Sequence, residues 1–325
     1  MKSEILSGTE LMNLKQEPDN YLIDGMLWEH QHIMILAREK VGKSIFSLQM
    51  ACALSCGEAF LGEYEIPEAM KVLYVQTEST RHETIERLKS MTQGNGVDWV
   101  EDNFFLLHTA SLVLDKQLGL ESLVEQITHR GINPRVIFID PLYMSMEGGL
   151  TDDLSARACS KNMRKLGEHF NCAIVVVHHE HRGKRDKNSK VLEEGDDSIM
   201  GSFVWKAFPN HIIRLQVRQD KIRLLTCSTQ RSSRVIQDMQ LLLRDNPLGY
   251  EIANTPDHAP YIDQVYNHIE QQGQKSAQQI QQELNLSMSA VRKSLSYLSG
   301  HRVSKIFKVN PGRRPTYYGI KEKPE

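Results

Sequence analysis

Eight consecutive residues, Ala37-Arg38-Glu39-Lys40-Val41-Gly42-Lys43-Ser44, carry a glycine, a lysine and a hydroxyl at a spacing suited to phosphate. They follow the apolar run His32–Leu36 and lead into the amphipathic stretch Ser44–Ser55, so the loop joins a strand to a helix start. In that setting backbone N–H groups and the helix N-terminus cradle phosphate oxygens. Lys43 supplies a charge near the β- and γ-phosphates, and the Ser44 hydroxyl is a ligand for Mg²⁺. A nucleoside triphosphate and Mg²⁺ are therefore the expected ligands. Two positions depart from the usual loop: Ala37 stands where a first glycine is normal, and Lys40 where a glycine is common. The plain alternative, a chance Gly-Lys-Ser at a helix start, is disfavoured by the strand tips downstream.

Three further strand tips carry groups that fit the same chemistry. Val136-Ile137-Phe138-Ile139 ends in Asp140, where a carboxylate can hold the Mg²⁺ shell through water; a turn-capping aspartate is the rival reading. Leu73-Tyr74-Val75-Gln76-Thr77 leads to Glu78, placed to polarise an attacking water as general base, or else a surface acid at a helix start. Ile174–Val177 runs into His178-His179-Glu180-His181-Arg182, where a polar tip can bond the γ-phosphate. A zinc site and a loop of solvated histidines are the alternatives there.

These groups need a scaffold that brings strand ends together. Strands are expected at His32–Leu36, Lys71–Gln76, Phe104–His108, Arg135–Ile139, Ala173–Val177, His211–Gln216 and Ile222–Cys227. Helices are expected between them at Ser44–Ser55, Arg81–Met91, Leu118–Thr128 and Ser155–Glu168. Alternation of this kind predicts an α/β domain with a mainly parallel sheet. Gly183–Gly201 is polar and lacks apolar periodicity, which reads as a long loop. Asp, Asn, Gly and prolines between Asp245 and Pro260 read as a linker. The expected division is 1–245 for the α/β domain, 246–258 for the linker and 259–325 for a small terminal domain.

The terminal segment has a different texture. Ile262, Val265, Tyr266 and Ile269 mark one helix face; Ser276 caps a second helix with Ala277, Ile280 and Leu284 inward; Ser287 or Ser289 caps a third with Val291, Leu295 and Leu298 buried. Two strands, Val303–Val309 and Thr316–Ile320, flank a turn with Arg313 and Arg314. Three helices and a hairpin predict a winged helix-turn-helix. From His258 onward there are 10 Lys+Arg and 5 Asp+Glu, net +5; the rest holds 29 and 36, net −7. A basic terminal domain on an acidic body suggests duplex DNA as partner, through Arg292 and Lys293 on the third helix and Arg302, Lys305, Arg313 and Arg314 on the wing. A protein-binding winged helix is the rival. Arg182, Lys184 and Arg185 begin a second basic segment, able to meet DNA phosphates or merely solvated.

With these elements in order, the stretch 15–245 resembles the RecA-like ATPases, among them RepA-type plasmid replication helicases and DnaB-type hexameric helicases. The likeness is widest over Tyr21–Ser44 and continues through Lys71–Glu78, Glu83–Leu88, Arg135–Asp140 and Ala173–Arg182. It implies a RecA-like P-loop core with ATP as the nucleotide, and carries over Lys43 and Ser44 as nucleotide site, Glu78 as catalytic acid, Asp140 as metal-shell acid and His179 as sensor. It also implies an arginine finger reaching the next subunit's nucleotide, for which Arg231 fits, although Thr229 stands where a Lys is expected. A finger in trans requires an oligomer, a hexameric ring in that family, with single-stranded DNA as the ring's partner. The implied function is an ATP-dependent helicase or helicase-like motor for a plasmid, phage or mobile element. The rivals are a regulatory ATPase that assembles on duplex DNA without unwinding, and a KaiC-like signalling ATPase.

Composition bounds the remaining classes. No apolar stretch of about 18 residues could span a membrane, and Met1-Lys2-Ser3-Glu4 leads into a polar segment unlike a secretory leader. Five cysteines, an odd number set mostly in apolar runs, read as buried thiols of a reducing cytosol. A cytoplasmic protein is expected.

Overall fold

The computed structural model describes residues 5–13, 20–92, 103–180, 198–218, 220–228, 236–253, 259–299, 306–308 and 317–320. A short helix α1 (Gly8–Asn13) and a small antiparallel pair, β1 (Tyr21–Ile23) and β2 (Leu27–Trp28), precede the main sheet. The main sheet's first strand is β3 (His32–Ala37), followed by α2 (Lys43–Cys56), β4 (Val72–Gln76), α3 (Arg81–Thr92), β5 (Phe104–His108) and α4 (Gln117–His129). Next come β6 (Val136–Asp140), α5 (Asp153–Phe170), β7 (Ala173–His179), α6 (Val204–Ala207), β8 (His211–Val217) and β9 (Ile222–Ser228). The sheet closes with β10 (Met239–Asp245) and β11 (Leu248–Ile252).

Nine strands lie in the order β11-β10-β9-β8-β3-β7-β6-β4-β5. From β8 to β5 every pairing is parallel, and β9, β10 and β11 add on antiparallel. The parallel strands are continuous apolar runs because helices cover both of their faces. Alternation along each strand divides the core. Ile33, Ile35, Val175 and Val177 pack toward α2, whereas Met34, Leu36, Ile174 and Val176 pack toward α4, α5 and α6. Asp152 starts α5 by accepting from the Leu154 N–H at 3.1 Å, and Asn171 ends it at φ 55°. The seven strands expected in this part are all present.

The stretch expected as linker differs. Its Asn246-Pro247 pair forms the turn of a hairpin, and β11 beyond it is an edge strand of the main sheet. Turn-rich composition marks a tight hairpin as readily as a linker, and β10 before it was not anticipated at all.

The terminal unit comprises α7 (Ala259–Gln272), β12 (Lys275–Ser276), α8 (Ala277–Leu284), α9 (Met288–Ser299), β13 (Ile306–Lys308) and β14 (Tyr317–Ile320). Its sheet is antiparallel in the order β12-β14-β13. Val265, Ile269, Ile280, Val291, Leu295 and Leu298 form its own core. Ser276 and Gln279 make a reciprocal capping box on α8. Ser287 caps α9, accepting from the Ala290 N–H at 3.1 Å.

Candidate active site

The C-terminal ends of β3, β7, β6 and β4, four neighbours in the sheet, hold the candidate residues side by side. Open parallel sheets place ligand crevices at this edge. The loop from Arg38 to Gly42 leaves β3 with Lys40 at φ 59° and Gly42 at φ 106°. Arg38, Glu39 and Lys40 are exposed, whereas Ala37 and Val41 are buried. The Ala37 methyl sits in the core, on the α2 side of the sheet, which is why alanine can replace a glycine there.

Lys43 opens α2 and is 6% exposed. Its Nζ donates to the Arg38 carbonyl at 2.9 Å and lies 3.4 Å from His179 Nδ1. Burial lowers the Lys43 pKa, against the pull of Asp140, Glu39, Glu78 and Glu180. Burial, then the Lys43 charge, lowers that of His179, so the imidazole is neutral at pH 7 and accepts from the ammonium. The Ser44 hydroxyl donates to Asp140 Oδ1 at 3.2 Å, and the Tyr74 hydroxyl donates to Asp140 Oδ2 at 2.6 Å. Burial raises the Asp140 pKa, and the Tyr74 and Ser44 hydrogen bonds oppose that rise. Ser44 and Asp140 together present hard oxygen donors, the chemistry Mg²⁺ prefers.

Glu78 is exposed just beyond β4, where Gln76 Oε1 accepts from the Glu78 N–H at 3.0 Å. The Tyr143 hydroxyl lies near enough to Glu78 to feel its charge, and the Tyr143 ring meets His179 edge-on at 5.0 Å. Burial first, then Glu78, pushes the Tyr143 pKa up to about 12, so it stays a donor. The two histidines take different partners. His178 Nε2 donates to the Met200 carbonyl at 2.8 Å, while His179 faces Lys43. Among the described residues no group of three His, Cys, Asp or Glu is arranged to hold a metal; His181 lies outside them.

Several participants carry no signal in the sequence. Tyr74 looks like an ordinary strand aromatic until its hydroxyl is found on Asp140. A buried pair, Arg214 with Glu180 at 3.1 Å, braces the end of β7 beside β3. Arg223 and Tyr250 both reach the phosphate loop from behind. For Arg214 and Arg223 the one available hint was an unexplained arginine in an apolar strand.

Arg231, with Thr229, lies outside the described residues, as do Arg182, Lys184, Arg185, Arg302, Lys305, Arg313 and Arg314. Lys293 belongs to α9. Arg292 does not stand on an outer face of α9 as expected. It forms ion pairs with Asp24, at 3.5 Å, and with Glu65, both on the α/β body. A guanidinium seeks carboxylates wherever they come within reach, and the acidic body offers two. Four of the cysteines are buried, Cys227 is partly so, and all are free. No described helix is long and apolar enough to cross a membrane.

The sequence profile of the AAA domain family matches residues 4–185. No curated protein matches the chain. Among solved structures, one ATPase domain aligns at TM-score 0.53 and 14% identity, covering 70% of this chain and 86% of that one. A DnaB-like replicative helicase, solved with its interactions with primase, aligns at TM-score 0.51 and 15% identity over 69% of this chain and 57% of that one. The α/β body thus has the RecA-like P-loop fold. With the profile spanning more than half of the 325 residues, and its match taking in the phosphate loop and the histidine tip, the chain belongs to the AAA domain family.

Proposed function

We propose that this chain is an ATP-dependent helicase-like motor serving the replication of a plasmid, phage or mobile element, with ATP hydrolysed between subunits of a ring. The convergence of Lys43, Ser44, Asp140 and His179 on one sheet edge carries this reading. Lys43 is a desolvated cation whose bonded partners are neutral, so an incoming phosphate gains strongly from it. Ser44 and Asp140 would hold Mg²⁺, which neutralises phosphate charge when bound. Glu78 accepts the proton of the attacking water, with Tyr143 close beside its carboxylate. His179 touches both Lys43 and Tyr143, which suits a group that responds to the γ-phosphate.

Arg231 serves as the finger across the subunit boundary, and a hexamer is the assembly this implies. Arg182, Lys184 and Arg185 meet single-stranded DNA in the ring. The terminal unit acts as a winged helix on duplex DNA through Lys293, Arg302, Lys305, Arg313 and Arg314. Its three helices, two of them with side-chain caps, and its antiparallel strands support that reading. One contact favours a second reading. Arg292 held by Asp24 and Glu65 suits an ATPase that couples its nucleotide state to duplex binding and never unwinds.

The test mixes two inactive proteins, Arg231→Ala and Lys43→Ala, on a forked DNA substrate. A mixed interface pairs an intact phosphate loop with an intact finger, so hydrolysis and strand separation should partly return. Restored hydrolysis without strand separation selects the second reading. A parent that hydrolyses ATP normally as a monomer rules out the finger and the ring.

A further inference from the structure

Two polar side chains from the antiparallel strands beyond the parallel sheet converge on the back of the phosphate loop. Arg223 on β9 is 7% exposed and Tyr250 on β11 is 3% exposed. The Arg223 Nε donates to the Val41 carbonyl at 2.9 Å, and the Tyr250 hydroxyl donates to the same carbonyl at 2.9 Å. The Tyr250 hydroxyl also lies 3.4 Å from the Gly42 carbonyl. Gln49 of α2 clasps the Tyr250 backbone, donating to its carbonyl at 2.9 Å and accepting from its N–H at 2.7 Å. Phe46 packs edge-on against the Tyr250 ring at 5.9 Å. The hydroxyl is thereby fixed from ring and backbone alike. A Cβ at Gly42 would overlap the Tyr250 oxygen, so this contact adds a second demand for glycine beyond the positive φ.

A planar trans peptide points its C=O and N–H in opposite directions. Two donors on the Val41 carbonyl therefore aim the Gly42 N–H away from Tyr250, and the contact at the Gly42 carbonyl does the same for the Lys43 N–H. Those are the amides that a phosphate loop offers to its ligand. We propose that Arg223 and Tyr250 are positioning residues that preform the phosphate-binding loop by holding its carbonyls from behind. This inference rests on the nucleotide reading above. It also suits a loop that holds a lysine at φ 59° at position 40: its shape is fixed from outside as well as by its own glycine.

A preformed loop binds ground state and transition state alike, so losing it should raise KM and leave kcat nearly untouched. The experiment measures the Kd of a fluorescent ATP analogue, together with steady-state hydrolysis, for the parent, Tyr250→Phe and Tyr64→Phe. Tyr64 is the control: among the described residues its hydroxyl bonds the Met239 sulfur alone, at 3.6 Å, away from the loop. Tyr250→Phe keeps the ring and the Gln49 clasp, so it should melt close to the parent. Its Kd and KM should rise about five- to tenfold, with kcat within about twofold, while Tyr64→Phe matches the parent. Arg223→Gln should weaken nucleotide binding further, because a charged donor is lost. Unchanged nucleotide affinity in a folded Tyr250→Phe overturns the inference alone. A fall in kcat at constant affinity overturns it too. A parent with no nucleotide affinity removes the functional reading and this inference together.

Discussion

Lys43 and Arg292 are both partly desolvated cations near the start of a helix, Lys43 as the first residue of α2 and Arg292 one turn into α9, and they are held in opposite ways. Lys43 hydrogen-bonds a backbone carbonyl and a neutral imidazole, with four carboxylates acting only through space. Arg292 is bonded directly to two carboxylates, Asp24 and Glu65. A buried charge without a bonded counter-charge is costly to the fold and is retained where a ligand supplies the missing anion. A paired charge has its anion already, and a nucleic acid phosphate must displace it. The α/β body therefore holds a cation ready for an anion, whereas the terminal unit shows one engaged with the body itself.

The largest effects should come from disturbing the body's cation and its neighbouring acids. Lys43→Met should weaken ATP binding about a hundredfold and abolish turnover. The fold should be as stable as the parent or more so, because the uncompensated charge goes. Thermal melts with and without ATP check both halves. The parent should gain melting temperature with ATP and the variant should not. A variant that melts well below the parent would mean Lys43 is satisfied in the empty protein, and the contrast with Arg292 would fail. Glu78→Gln should bind ATP like the parent and lose turnover by about 10²- to 10⁴-fold. Near-parental turnover would remove Glu78 as the base.

A second effect of body burial is acid sensitivity. Burial lowers the His178 and His32 pKa values from 6.5 to about 4, so both are neutral in the fold. Below pH 6.5 the unfolded chain takes up protons that the folded chain refuses, so stability drops between pH 6.5 and about 4 and levels off below. Each histidine contributes up to about 3 kcal/mol to that loss. Asp140, raised by burial, works in the opposite sense at the acid end. Urea midpoints at pH 7 and pH 5 should differ markedly for the parent and less for His178→Gln, which keeps a donor for the Met200 carbonyl. Equal slopes with pH would show that His178 is not held neutral by the fold.

How much of this could be read from the residues depended on where the information sits along the chain. Lys43, Ser44, Asp140 and His179 follow apolar runs at fixed offsets. Once the runs are parallel neighbours, their tips must meet, so the site was legible. The Tyr250 contact was not, because it joins residues 209 apart in sequence and lies in a stretch whose composition reads as linker. Tyr74 was hidden for a different reason: its ring suits a buried strand, and only its hydroxyl has a second use. Arg292 was read from charge pattern alone. Pattern says that a helix face is basic but not which acid will come near it.

The smallest expected effect is also the one that decides what the Arg292 contact means. Exposed or half-exposed ion pairs contribute about 0.2–1 kcal/mol, so releasing Arg292 can change duplex affinity by only a few-fold. The double variant Asp24→Asn with Glu65→Gln keeps polar partners at both positions and removes their charge. If α9 meets DNA, the freed Arg292 adds one phosphate contact. Duplex affinity at low salt should then rise about three- to fivefold, and the slope of log K against log salt should steepen by about 0.9. Arg292→Gln in the same background should cancel both changes. The slope is the sharper readout, because a general loosening of the terminal unit could alter affinity without adding an ionic contact. An unchanged slope would mean that Arg292 serves only to dock the terminal unit on the body. The two cations would then differ in purpose as well as in partner, and any duplex affinity of the terminal unit would have to come from its other basic residues.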